Sequence, residues 1–439
     1  MKSAINFLLI FLTACSIVTS QVDRIFDHFN NPWPKIRKER IETLLPSAMK
    51  EAEIDSWLNI CRENDNDPLA IHFGGENAGG TAAFLFFLQG DKVYSAAVSP
   101  SGEARALKDV GLHNEVIEIE RGYSVWIEVK KLIEKFNPVK IGINSSQRNL
   151  SDGLSYTQRI EMEKELGAEI SARFVSSDPI VVNWLSVKLP AEIEIMTKAA
   201  LLTEQIQIDA YKSVVPGKTT DADVARFIKK RMMEYGVKDA WQPDQNPNVN
   251  SGVDRGHSHS TDKVIQPGDI IQTDHGIKVY GIWVTDIQRF AYVLKPGEIA
   301  APQDIQLKWE NAKRGSRIVI ETMKPGIEGF YVDKAQREWM KQKKSLPVIW
   351  STGHPVGYVA HDVGPSLGGA QRSEIPLGSS ALKLKPGQVF AYDGFFCWYI
   401  DETKTETKTI SVEEMAVVTE VGAKYLIPPQ EKLILIPYK

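Results

Sequence analysis

Four carboxylates and a pair of histidines in the second half of this sequence have the types and spacing to hold divalent cations. Asp274 and Asp286 sit in two apolar, β-branched runs between residues 270 and 294, on either side of Tyr280-Gly281, where a tight turn belongs. With residue 280 at the centre of an antiparallel hairpin, the two acids stand directly opposite, their Cβ atoms roughly 4.5–5.5 Å apart. Two buried acids repel, and each is costly to desolvate, unless a cation or a proton lies between them. The competing arrangement has one acid facing solvent and the other capping a turn. A second pair repeats the pattern. Asp393, in the run 389–396, and Glu413, in the run 410–418, are equidistant from the middle of a polar turn near residue 403. Four such acids with a histidine make a dinuclear site. Carboxylate oxygens suit Mn²⁺, and imidazole also admits Zn²⁺, Co²⁺ or Fe²⁺. Two ions about 3.5–4 Å apart lower the pKa of a shared water and clamp both nucleophile and developing oxyanion.

The elements that must position these residues follow from periodicity. A helical pattern runs from 191 to about 214 and stops at Pro216-Gly217. Thr220 caps a second helix, with Asp223 as acidic partner, an apolar stripe through Val224, Phe227, Ile228, Met232 and Tyr235, and Gly236 at its end. After the first hairpin come helices over 305–323 and 332–344. The stretch 351–365 carries His354 and His361, and the rest is rich in strands from 388 to 437. The order helix, helix, hairpin, helix, helix, histidine loop, hairpin describes two similar halves, with no repeat visible at residue level. Before residue 185, strands over 83–88, 93–98 and 139–143 alternate with a helix over 123–136, which indicates an α/β domain. The run 36–58 reads as helix with a break at Pro46, and 69–73 as a short strand.

Bulk properties exclude several classes. The chain has 439 residues, 43% hydrophobic and 25% charged, with net charge −4, so ordinary globular composition and two or three domains are expected. No basic block suggests nucleic acid, and nothing after residue 20 is apolar for long enough to span a bilayer. The first twenty residues read as an export signal, with Lys2 as a short positive region, 5–17 as the apolar core and cleavage before Gln21. Leu12-Thr13-Ala14-Cys15 also fits a lipobox, which would leave Cys15 as a lipid anchor. Either way a periplasmic or secreted protein is expected. Cys61 and Cys397 read as ordinary thiols, and two sequons, at Asn144 and Asn149, matter only in a eukaryotic source. The Gly-rich stretch 74–80 matches no phosphate loop and reads as a connection.

These motifs together resemble the pita-bread metallopeptidases, the group containing methionine aminopeptidase, Xaa-Pro aminopeptidase, prolidase and the metal-free creatinase. The resemblance rests on Pro267-Gly268-Asp269-Ile270, Thr273-Asp274-His275-Gly276 and Thr285-Asp286-Ile287-Gln288-Arg289. It continues in Gly353-His354, in His361-Asp362-Val363-Gly364, in Lys385-Pro386-Gly387-Gln388-Val389-Phe390 leading to Asp393, and in Val412-Glu413-Glu414. It implies a creatinase-type α/β domain over 21–187, a link at 188–193, and an α+β pita-bread catalytic domain over 188–439 with two pseudo-symmetric halves. By the same resemblance Asp274 binds one ion, Asp286 and Glu413 bridge two, and His354 and Asp393 complete the second. His361 assists the substrate, and Asp393 is the general base. A further histidine is expected before the first hairpin: counting back from 267–269 gives His257, and counting forward from 251–252 gives His259. A peptide substrate and a homodimer or tetramer are also implied.

Two positions depart from the family pattern. Asp393 stands where the family has Glu, and Ser411 stands where an Arg commonly precedes the last Glu by two. One methylene less moves a carboxylate by roughly a bond length, and a misplacement of about 1 Å can cost on the order of 10²-fold in rate. The implied activity is removal of an N-terminal residue ahead of proline. A prolidase-type dipeptidase, a creatinase-like amidinohydrolase and an impaired enzyme serving as a peptide-binding module are the alternatives. His28, His72 and His113 are expected to be structural. His275 and Glu414 alternate to the faces opposite Asp274 and Glu413. Trp184, Trp241, Trp283 and Trp350 are expected in the aromatic core.

Overall fold

The computed structural model describes residue 26 and residues 30–438, apart from 65 and 258. The expected export segment with Cys15, and His28, lie outside the described residues. Among the described residues no helix is long and apolar enough to cross a membrane.

The first part of the chain builds a six-stranded sheet from β1 (Ser56–Cys61), β2 (Ala82–Gln89), β3 (Lys92–Pro100), β4 (Glu115–Ile119), β5 (Ile141–Ile143) and β6 (Phe174–Ser176), in the order β4-β3-β2-β1-β5-β6. Alternation along β1 divides its side chains between two cores. Leu58 and Ile60 pack with the helix Val125–Phe136 through Trp126, Val129, Leu132 and Ile133. Trp57 and Cys61 face the other way, into a core continuous with Trp184, Ile206 and Trp283. One face of the first sheet is thus closed by the helix Val125–Phe136, and the other by helices of the same part of the chain, through Leu45, Met49 and Trp184, in a core that runs on into the second part. Cys61 and Cys397 are both buried and unpaired with each other.

Three expectations change here. The run 36–58 is not one broken helix but two, Trp33–Thr43 and Leu45–Ala52, followed by β1. Pro46 lies in the first turn of the second helix, where it lacks no hydrogen bond, and the left-handed Glu53 ends it. The apolar residues Trp57 and Leu58 belong to a strand buried on both faces, which periodicity cannot separate from helix. The run 69–73 is a single helical turn, Ala70–Phe73, ended by Gly74 in the left-handed region.

The second part contains β7 (Lys238–Asp239), β8 (Asn248–Ser251), β9 (Ile270–His275), β10 (Ile277–Val279), β11 (Trp283–Val284), β12 (Ile287–Val293), β13 (Gly353–Pro355), β14 (Val389–Tyr399), β15 (Thr407–Val418), β16 (Ala423–Tyr425) and β17 (Ile434–Ile436). They form sheets in the orders β11-β10-β7, β17-β12-β9-β8 and β13-β14-β15-β16. The helices Pro190–Lys212 and Asp221–Tyr235 precede the first hairpin, and Gln303–Thr322 and Gly329–Gln342 precede the second. This is the pita-bread plan of two like halves, an α+β domain after an α/β one. Thr220 and Asp223 form the expected capping box.

Candidate metal centre

The helix Pro190–Lys212 lies along the first hairpin and fixes its backbone. Gln207 Nε2 donates to the carbonyls of Thr273 and Ile287, and Tyr211 Oη donates to that of Arg289. Thr203 and Thr285 share a hydroxyl contact of 2.7 Å. Gly276 marks the step from β9 to β10, where a Cβ would stand 2.1 Å from the Thr285 carbonyl oxygen.

The register differs by one residue from the expected one. Tyr280 and Gly281 both have positive φ, 54° and 72°. Val279 pairs with Trp283, which leaves three residues in the connection and puts the centre at 281. Asp274 therefore faces Gln288, not Asp286. Asp286 is its diagonal neighbour on the same face, and the two carboxylates still meet there. The second hairpin has the expected register, with Asp393 opposite Glu413.

Asp274, Asp286, Asp393 and Glu413 are 5, 6, 6 and 3% exposed, so none is solvated freely. Asp274, Asp286 and Glu413 each offer an oxygen within a set spanning 4.8 Å, and Asp286 forms a second such set with His354 and His361. Asp393 enters neither set, as its shorter side chain would suggest, although it lines the same cavity. Burial, then the charges of Glu413 and Asp274, push the Asp286 carboxyl well above its ordinary range. Burial followed by Asp274 and Asp286 does the same to Asp393, and burial followed by Asp393 and Asp274 to Glu413. One oxygen each of Asp274, Asp393 and Glu413 is buried without a hydrogen-bond partner. Clustered acids with unpartnered oxygens are costly alone and stable around cations. The residues present fit divalent metal ions.

His354 Nε2 lies 3.7 Å from Asp286 and 3.8 Å from Glu413, and burial with the neighbouring His361 holds its pKa near 3. A neutral imidazole is what a metal requires. The His361 ring stands 4.1 Å from His354, centroid to centroid, on the exposed cavity wall. Its neighbour Asp362 accepts from Lys188 Nζ at 3.2 Å and from the Tyr358 amide, which ties the loop down. His257 Nδ1 is 3.0 Å from Asp274 Oδ2, and that bond raises its pKa. His259 is not at the site: it is exposed and bonds the Asp244 carbonyl at 2.7 Å. The choice left open between the two histidines falls on His257, because the segment folds back to present only that ring to β9.

His275 faces away from Asp274 and bonds Asn246 Oδ1 at 3.1 Å. Glu414 faces away from Glu413 and meets Arg289 Nη2 at 3.1 Å, while Arg289 Nη1 donates to the Glu413 carbonyl. Trp184 and Trp283 are core residues as expected. Trp241 is partly buried against the same core and also lines the catalytic cavity of about 1010 Å³, whereas Trp350 is exposed on the wall of that cavity.

Sequence reading passed over Gln288. It is 4% exposed and donates to Glu413, while its Oε1 accepts from Gln272 Nε2 at 2.6 Å and from Ser411 Oγ at 2.8 Å. This amide network orients Glu413 where the family commonly has an Arg. The available signal was spacing: Gln288 follows Asp286 by two, so it shares its face.

Comparison with known proteins agrees with this geometry. The Xaa-Pro dipeptidase of Pyrococcus furiosus is 24% identical over 349 residues, covering 78% of this chain and 92% of that protein. An Xaa-Pro dipeptidase structure from Bacillus anthracis superimposes with a TM-score of 0.67 at 19% identity, covering 92% of this chain and 99% of its own. The X-Pro aminopeptidase structure from Thermotoga maritima gives 0.66 at 19%, covering 89% of this chain and 100% of its own. These two establish the shared fold. The model of metallopeptidase family M24 matches residues 194–420, the whole span that carries the carboxylates and the histidine loop, and the chain belongs to that family.

Proposed function

We propose that this metallopeptidase removes the N-terminal residue from peptides with proline in second place. The observation that carries the reading is the wall of the main cavity, where four buried carboxylates, three of them with an unpartnered oxygen, converge beside His354 and His361. Asp274, Asp286, His354, Asp393 and Glu413 are the residues that would hold two divalent ions, Mn²⁺ or Zn²⁺ first, Co²⁺ or Fe²⁺ next. Such ions supply Lewis-acid polarisation and a lowered pKa for water. The chain's own groups do the rest. Asp393 takes a proton from the attacking water on its free Oδ1 and passes it to the leaving amine. His361 donates a hydrogen bond to the substrate carbonyl as charge develops. His257 holds the Asp274 carboxylate in place, and Gln288 holds that of Glu413.

A dipeptidase of the prolidase type is the second reading. It is favoured by Arg372, an exposed cation on the wall of the main cavity, which suits a free C-terminal carboxylate. The test is a panel of Xaa-Pro and Xaa-Pro-Yaa peptides assayed after chelation, with and without Mn²⁺ or Zn²⁺, with Asp274→Ala as control. Metal-dependent release of Xaa from the longer peptides supports the aminopeptidase. Turnover of dipeptides alone means the prolidase reading, and no turnover with any metal sinks both. The domain division at residue 187, export through the first twenty residues with Cys15 as an optional lipid anchor, and assembly into a dimer or tetramer belong to the same proposal.

A further inference from the structure

Beside the catalytic cavity lies a smaller one of about 310 Å³. The two share His257, Ile349 and Trp350 in their walls. One side of the smaller cavity is apolar, built by residues 346–348 and Cys397. The other side is a polar row from three strands, Asn250, Gln272 and Ser411, continued by Asp254. Asn250 is 2% exposed and its Oδ1 has no hydrogen-bond partner. A buried acceptor is costly to leave unpaired, so this atom calls for a donor from a ligand. Asp254 is half used. Its Oδ2 accepts from Thr409 Oγ1 at 2.8 Å and from Thr407 Oγ1 at 3.3 Å. Its Oδ1 forms an ion pair with the buried Lys408 ammonium at 3.8 Å, beyond hydrogen-bond length, and so keeps room for a further donor. Position 411 helps to leave this space open, because Ser is far smaller than the Arg of the family pattern.

We propose that this cavity is the subsite for the side chain on the N-terminal side of the cleaved bond, and that it selects a long side chain with a cationic end, of lysine or arginine type. The inference rests on the peptidase reading. Volume assigns the two cavities: an exopeptidase cutting before proline has one residue on the N-terminal side, which suits the smaller space, and everything else on the other, which suits the larger. The apolar wall fits a methylene stem. The faces of Trp350 and Tyr399 and the acceptors Asn250 Oδ1 and Asp254 Oδ1 fit the charged head.

The experiment compares kcat/KM for Arg-Pro-Ala, Lys-Pro-Ala, Ala-Pro-Ala and Glu-Pro-Ala on the metal-loaded enzyme and on Asp254→Asn, a near-isosteric change that keeps an acceptor for the threonines. The basic peptides are expected at least tenfold above Ala-Pro-Ala, with Glu-Pro-Ala lowest. Asp254→Asn is expected to remove most of that preference and to leave Ala-Pro-Ala within about twofold. Equal rates for Arg and Ala, or a variant that lowers both alike, overturns the subsite. If no peptide is turned over, the peptidase reading fails, and calorimetry still decides the pocket. Argininamide is expected to bind the chelator-treated protein at least tenfold tighter than alaninamide, and tighter than it binds Asp254→Asn. Equal or absent binding overturns the proposal.

Discussion

Three of the four carboxylates at the centre are held well above their ordinary pKa by burial and by each other, so a metal-free site is a region of stored repulsion. Removing one charge there must act in opposite directions with and without metal. In chelator-treated protein, Asp393→Asn is expected to raise stability by about 1–3 kcal/mol, since a neutral amide replaces a like charge. With Mn²⁺ or Zn²⁺ the order reverses, and the wild type gains more stability from added metal than the variant does. Thermal unfolding with and without chelator checks both signs. A variant less stable than wild type in both conditions would mean that Asp393 serves packing and not metal. Most of this site was legible from residue types, because clustered acids in apolar runs have few stable explanations. The exact pairing of Asp274 was not. It depends on whether the connection after Val279 holds two residues or three, and that is set by the backbone of Tyr280 and Gly281.

Elements place the acids by close backbone approach. A Cβ on Gly394 would stand 2.2 Å from the Ala312 carbonyl oxygen and 2.4 Å from the Ser316 amide, both in the helix Gln303–Thr322. On the other flank Gln336 Nε2 donates to the Asp393 carbonyl at 2.7 Å, and the Asp393 amide donates to Thr352. Asp393 is therefore gripped on both sides, and the residue after it must lack a side chain. Gly394→Ala is expected to cost about 3 kcal/mol or more, with a loss of activity larger than that of a surface control, because the helix must withdraw and carry β14 with it. Urea unfolding measures the first effect and steady-state kinetics the second. A cost under about 1 kcal/mol would show that the helix yields freely. The helices themselves were readable from their caps and stripes. The strand β1 was mistaken for helix because a strand buried on both faces carries no period-two signal.

At the scale of the molecule, the two parts of the chain are joined through buried charge. Arg40 Nη1 meets Glu192 Oε2 at 2.6 Å, with both side chains fully buried. Glu192 also accepts from Trp283 Nε1 at 3.0 Å and Tyr358 Oη at 2.6 Å, four residues before Asp362 of the histidine loop. Arg40→Met is expected to cost about 3–5 kcal/mol, since it strands a buried carboxylate, whereas Arg40→Met with Glu192→Gln recovers part of the loss. Chemical denaturation of the single and double variants tests this, and strict additivity would refute the coupling. The first sheet also carries a pH dependence. Burial holds His113 down to about 4 and His72 well below the ordinary value. The unfolded chain takes up these protons near pH 6.5, so the contribution of both histidines is intact above 6.5 and is lost as pH falls towards 4. Asp67 opposes them: burial raises it to about 6, which favours the folded state as pH falls below 6. The difference between wild type and His113→Gln isolates the histidine. The variant is expected to lose less stability between pH 7.5 and 4.5, by on the order of 2 kcal/mol. Parallel curves would remove His113 as a cause.

The sequence by itself pointed to the carboxylates and to the histidine loop. A carboxylate in an apolar run has no stable burial without a partner, and two hairpins with two histidines leave a divalent ion as the partner that fits. Tertiary structure alone decided which histidine faces Asp274, that Gln288 bonds Glu413 beside Ser411, and that a second cavity opens beside the first. These depend on how three strands distant in sequence pack together. Alternation says which face a side chain takes, but what stands across that face is fixed only when the sheets close.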